Sequence, residues 1–110
     1  MIRIDRKGLG ITHKDFERIY PKVCKGLGET APLLENKGMV TDYEPCIALQ
    51  TVDRATGAAI FAKVSEEYVR KIGALKFPYV QAAFWFLGLS GEEAKIFMKR
   101  FDMAFQKGGG

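Results

Sequence analysis

The chain is poor in the residues that most enzymes use for catalysis. Its 110 residues include one histidine, His13, and two serines, Ser65 and Ser90. Each serine lies where the sequence predicts a helix cap, and His13 is predicted in the first turn of a surface helix. Because a hydrolytic site needs a nucleophile and a base within mutual reach, we expect a protein that is not an enzyme.

Cysteine is equally scarce. Cys24 and Cys46 do not form a C-x-x-C pair, and one histidine cannot complete a zinc site with them, since such sites take four ligands. The Gly8-Leu9-Gly10 segment lacks the third glycine and the acidic residue of a dinucleotide fingerprint. We therefore expect two reduced cysteines, no metal and no cofactor. The alternative for the cysteines is a disulfide between them, which is uncommon in a chain without an export signal.

The sequence also lacks a long hydrophobic segment. Its longest apolar run, residues 77–89, is shorter than the ~20 residues that cross a bilayer, and it contains Pro78, Gln81 and Gly88. The first five residues, Met1-Ile2-Arg3-Ile4-Asp5, are not the apolar core of a signal peptide. These absences predict a cytoplasmic protein with no membrane partner.

The apolar residues that are present suffice for one core. They make up 47% of the chain, which is typical of a globular domain of this length. We predict a single domain over residues 1–106 and a flexible, glycine-rich tail over residues 107–110.

The pattern of turn residues predicts an antiparallel hairpin in the middle of the chain. Its strands are residues 46–52 and 58–64, and Gly57 closes the connection in the left-handed conformation that a bulged turn requires. In this register Leu49 is expected opposite Phe61. The fold class that follows is α+β, with a small antiparallel sheet built on the 46–64 hairpin.

Alternation of apolar and charged residues over residues 1–6 predicts a short N-terminal strand beside this hairpin. About four helices are expected to pack against the sheet. The candidate segments are residues 12–27, a short helix over 30–38, a helix capped by Ser65, a buried helix that begins at Pro78, and a helix capped by Ser90 with Glu93 in a capping box.

The whole net charge of +4 lies in the first 25 residues, which hold seven basic and three acidic residues, whereas the remainder holds ten of each. In a helix four of these cations share one side, opposite Phe16, Ile19 and Val23. This basic stripe consists of Lys14, Arg18, Lys22 and Lys25, and three earlier cations, Arg3, Arg6 and Lys7, are expected to extend it. Pro21 is its weak point, because proline kinks helices.

A run of charge is often only a solvated helix face, but a stripe without interspersed acids also suits an acidic partner. We predict a small non-enzymatic binding or accessory protein that contacts the acidic surface of another protein. An inhibitor or regulator of the kind that viruses and mobile elements carry is the role expected from this size and this lack of catalytic residues. The alternative is a nucleic-acid-binding protein that uses the same face for sequence-independent phosphate contacts.

Aromatic residues late in the chain provide a second candidate surface. They more often fill a core, but a small domain has limited room for them, so a homodimer face is the alternative. The residues concerned are Phe84, Trp85, Phe97, Phe101 and Phe105.

Overall fold

The computed structural model describes residues 1–35 and 38–108. Within them the chain forms six strands and two helices. In chain order these are β1 (Ile2–Leu9), α1 (His13–Val23), β2 (Glu29–Pro32), β3 (Ile47–Val52), β4 (Ala59–Val64), β5 (Tyr68–Ile72), β6 (Leu75–Leu87) and α2 (Gly91–Gly108). The sheet order is β1-β6-β4-β3-β2, with β5 beside the first half of β6, and every pairing is antiparallel.

The fold is α+β, but the prediction of about four helices is wrong. The segments expected to form helices after Ser65 and after Pro78 are β5 and β6. Residues 82–86 of β6 are buried throughout because the sheet is covered on both faces at this point. A strand covered on both faces is apolar at every position, and periodicity cannot distinguish it from a buried helix. Its aromatic residues favour the strand.

Ser65 therefore does not cap a helix. It lies in the irregular step between β4 and β5, where its backbone amide donates to the Gln81 carbonyl at 2.8 Å and its hydroxyl accepts from the Gln81 amide, also at 2.8 Å. These two bonds keep β4 and β5 along the same edge of β6. The two strands therefore form one long hairpin with β6.

The short helix expected over residues 30–38 is also wrong. Glu29–Pro32 is an edge strand that pairs with β3, and the hydroxyls of Thr30 and Thr51 lie 2.8 Å apart across the pair. Proline is tolerated there because an edge strand has one unpaired side. Residues 36 and 37 of the expected helix lie outside the described residues.

The turn of the central hairpin and the capping box of α2 agree with the sequence prediction. Gly57 has a φ of 78° at the predicted turn, and Ser90 and Glu93 exchange the two hydrogen bonds of a capping box at 2.9 and 3.1 Å. The predicted pairing of Leu49 with Phe61 is wrong by one residue. Leu49 pairs with Ala62, and a shift of one residue places Leu49 and Phe61 on opposite faces of the sheet.

Two further boundaries differ from expectation. The N-terminal strand is longer than residues 1–6, since β1 continues to Leu9 through a register shift after Arg6. α2 extends to Gly108, and residues 109 and 110 of the predicted tail lie outside the described residues.

The main core lies between the helices and the sheet, and it is dominated by aromatic rings. Neighbouring ring centroids lie 4.3 to 6.5 Å apart. Its aromatic members are Phe16, Tyr20, Phe84, Phe86, Phe97, Phe101 and Phe105. Because these rings come from α1, α2 and β6, they fix both helices relative to the central strand.

A second, smaller core lies on the opposite face, around Phe61 and Trp85. The chain before β3 covers it and is fastened by polar contacts. Tyr43 donates its hydroxyl hydrogen to the Lys63 carbonyl at 3.0 Å, Arg3 donates to the Val40 carbonyl at 3.0 Å, and the Lys63 ammonium donates to the Met39 carbonyl. Each bond links the irregular segment before β3 to a residue of β1 or β4.

Tyr43→Phe should lower the free energy of unfolding by about 1 kcal/mol at pH 8, the usual value of one hydrogen bond. Burial raises the pKa of Tyr43 to about 12, above the unfolded value of about 10. The neutral phenol therefore stabilises the fold fully below pH ~10, and this contribution is lost as the pH rises towards 12. Urea unfolding at pH 8 and pH 11 should show a smaller alkaline loss in Tyr43→Phe than in wild type.

Tyr79→Phe is the matched control, because no hydrogen bond involves the Tyr79 hydroxyl among the described residues. It should leave the stability at pH 8 nearly unchanged. Equal losses in the two variants would show that the Tyr43 bond does not hold the covering segment.

Candidate functional site

α1 is an amphipathic helix with a well-defined beginning. The Thr12 hydroxyl accepts from the Asp15 amide at 3.1 Å, and the Glu67 carboxylate accepts from the His13 amide at 2.9 Å. The helix continues through Pro21 to Val23. Its apolar side is buried in the main core, so its other side presents cations to solvent.

A surface groove lies where α1 runs beside α2. It has a volume of about 490 Å³ and combines buried apolar side chains with exposed cations. Its lining consists of Arg18, Ile19, Lys22, Val23, Arg100, Met103 and Ala104. We call this the α1–α2 groove. The three cations are exposed while Ile19 and Val23 are buried, so the groove has an apolar floor and a cationic rim.

A second cavity adjoins the groove on the other side of Arg100. It has a volume of about 360 Å³, and Arg100 lines both cavities. Its apolar lining includes Leu27, Leu89, Ile96 and Phe97. Ile96 and Met103 stand on either side of Arg100 along α2 and are 60% and 52% exposed. The apolar surface therefore continues along α2 past the cation.

The cations of the groove are largely free of internal partners. Arg18 approaches Asp15 at 3.4 Å, but exposed pairs of this kind contribute at most about 1 kcal/mol. Among the described side chains, Lys22 and Arg100 form no ion pair. The rim thus keeps positive charge that is available to an external anion.

The predicted basic residues do not all meet at this groove. Arg18 and Lys22 line it, whereas Lys14 and Lys25 lie near the two ends of α1 and are absent from its lining. Arg100, which was not predicted to belong to the stripe, completes the rim. It could be identified as an exposed residue of α2 from helical periodicity, but its nearness to α1 depends on tertiary packing.

The three cations of β1 do not extend the stripe, because successive residues of a strand point to opposite faces. Arg6 faces α2 and forms a bidentate pair with Asp102 at 2.9 and 2.8 Å, which raises the pKa of Arg6. Arg3 lies on the other face, 5.0 Å above the ring of Trp85. Lys7 shares that face.

The aromatic residues considered for a homodimer face lie in the interior. Phe84, Phe97, Phe101 and Phe105 are buried in the main core, and Trp85 is buried in the second core. These rings fill the domain because the sheet is covered on both faces, so they present no surface to a second copy.

Comparison with protein-family models, curated proteins and solved structures finds no significant match to this chain. Within the described part of the chain, no three His, Cys, Asp or Glu side chains are grouped to hold a metal ion. No helix in that part is long and apolar enough to span a membrane.

The end of α1 that borders the groove can be probed with its cysteine. Cys24 is buried, and burial raises the pKa of its thiol, whereas Cys46 is exposed. Because the thiolate is the reactive form, iodoacetamide at pH 8 should modify one cysteine of the native protein and both in urea, as measured by intact mass.

Cys46→Ser is the control and should remain unmodified while folded. Rapid modification of native Cys46→Ser would show that the end of α1 opens, and the groove would then not be a fixed surface.

Proposed function

We propose that this protein is a non-enzymatic binding protein that holds an acidic segment of another protein in the α1–α2 groove. One observation carries the proposal, namely the union of an apolar floor with a rim of three exposed cations, Arg18, Lys22 and Arg100. An amphipathic helix with acidic flanks complements both parts, and helices commonly bind in grooves of this type.

The two parts of the groove have separate roles in this proposal. Burial of apolar surface is favourable by about 25 cal/mol per Å² before the costs of association are subtracted, and Met103 is the exposed apolar residue of the groove that gains most from it. The cations attract the acidic partner, accelerate association and select its orientation. The protein acts as an accessory or inhibitory protein by covering the partner's acidic surface.

The composition of the groove favours a protein partner over nucleic acid. Its floor is aliphatic, whereas proteins that bind single strands stack bases on aromatic rings. The aliphatic floor therefore supports a protein segment as the occupant.

The proposal is tested by capture from a nuclease-treated extract of the cells that produce the protein, followed by mass spectrometry. The double variant Arg18→Glu with Lys22→Glu should retain the partner at least roughly tenfold less well than wild type, because charge reversal on the rim repels an acidic segment. The captured protein is then purified, and its affinity should fall as the salt concentration rises.

The matched control is Lys95→Glu with Lys99→Glu, which changes the net charge equally on exposed residues of α2 that do not line the groove. It should capture the partner as wild type does. Equal capture by all three proteins, or no partner at all, would contradict the proposal. A ligand that is captured only when the nuclease is omitted would favour nucleic acid.

A further inference from the structure

The β5–β6 hairpin extends beyond the rest of the sheet. β1 pairs with β6 only from Val80 onward and β4 only from Ala82 onward, so residues 75–79 of β6 have β5 as their single neighbour. We call residues 68–79 the arm. Its five residue pairs give it a length of about 16 Å at strand rise.

The arm exposes several large apolar side chains to solvent. Ile72 and Leu75, which face each other at the tip, are 58% and 62% exposed, and Val69 and Phe77 are also exposed. A two-stranded hairpin alone is only marginally stable in water, and a concentrated apolar surface indicates a binding site. The tip therefore has the chemistry of a surface that another molecule covers.

The arm is also purely cationic. Arg70, Lys71 and Lys76 are its charged residues, and no acid occurs between residues 68 and 91. Lys71 and Lys76 are directly opposite each other in the ladder, an arrangement that destabilises a strand pair. Neither lysine has an ion pair among the described side chains. An anionic partner would relieve this repulsion.

The cations occupy both faces of the ribbon, which restricts the shape of that partner. Arg70 lies 5.1 Å above the ring of Tyr79 on one face, and strand alternation places Lys71 and Lys76 on the other. A duplex groove presents a phosphate strand on each wall, and the major groove of B-DNA, about 12 Å wide, admits a two-stranded ribbon. A second copy would bring like charges together instead.

We propose that the arm inserts into a groove of duplex DNA. Lys71 and Lys76 contact the phosphates of one wall, and Arg70 contacts those of the other. Ile72 and Leu75, at the tip of the arm, press against the base edges at the groove floor. Binding is independent of sequence, and it uses a surface separate from the α1–α2 groove.

The test is fluorescence anisotropy with a labelled duplex of about 20 base pairs, from about 50 to about 200 mM NaCl. Lys71→Gln with Lys76→Gln should weaken binding and reduce the magnitude of the slope of log K against log salt by about 1.8, since each phosphate contact contributes about 0.9. The fold should survive, because the change removes a repulsive pair.

Two further variants separate the contribution of the arm's charges from that of its apolar tip. Lys95→Gln with Lys99→Gln removes the same charge from α2 and should leave the slope nearly unchanged. Ile72→Ser with Leu75→Ser should weaken binding by roughly tenfold without altering the slope, because apolar contacts release no counterions.

Several outcomes would overturn the proposal. These are no binding of wild type at low salt, identical behaviour of the two lysine variants, or a loss that follows Arg18→Glu with Lys22→Glu instead. Tighter binding of a single strand of the same sequence would exclude groove insertion. Preference for phosphatidylserine vesicles over the duplex would assign the arm to a lipid surface.

Discussion

The contact between Phe84 of β6 and Phe101 of α2, with ring centroids 4.9 Å apart, is the interaction on which both candidate surfaces depend. Tyr20 of α1 packs against the same two rings at 6.2 Å. Three elements distant in the sequence are thereby fixed around one point. Because these rings hold both helices against β6, Arg18 and Lys22 line one groove with Arg100, and the groove follows from the core.

β6 connects that core to the arm. It is 13 residues long, and β1 and β4 pair only with residues 80–87 of it. The same strand therefore is buried on both faces at Phe84 and Trp85 and solvent-exposed at Leu75 and Phe77. Apolar residues remain exposed in the arm because the elements that bury the second half of β6 do not reach residues 75–79.

The sequence predicted the parts of the fold that local chemistry determines. The capping box at Ser90, the turn at Gly57 and the cationic side of α1 each depend on residues a few positions apart, and all three are present. β6 was misassigned because burial on both faces removes the alternation that identifies a strand. The position of Arg100 beside Lys22 could not be predicted, since only tertiary packing joins the two helices.

The net charge of a segment does not show how its charges are distributed over the surface. Residues 26–110 sum to zero, which suggests an electrically neutral remainder, yet the arm within them carries three cations and no acid. Since salt screens charges beyond about 8–10 Å, a distant acid does not neutralise a local cation, and a balanced total conceals a segregated surface. The described residues thus form two cationic surfaces of different shape. A helical groove with an aliphatic floor fits a folded acidic segment, whereas a narrow ribbon with cations on both faces fits a partner that encloses it.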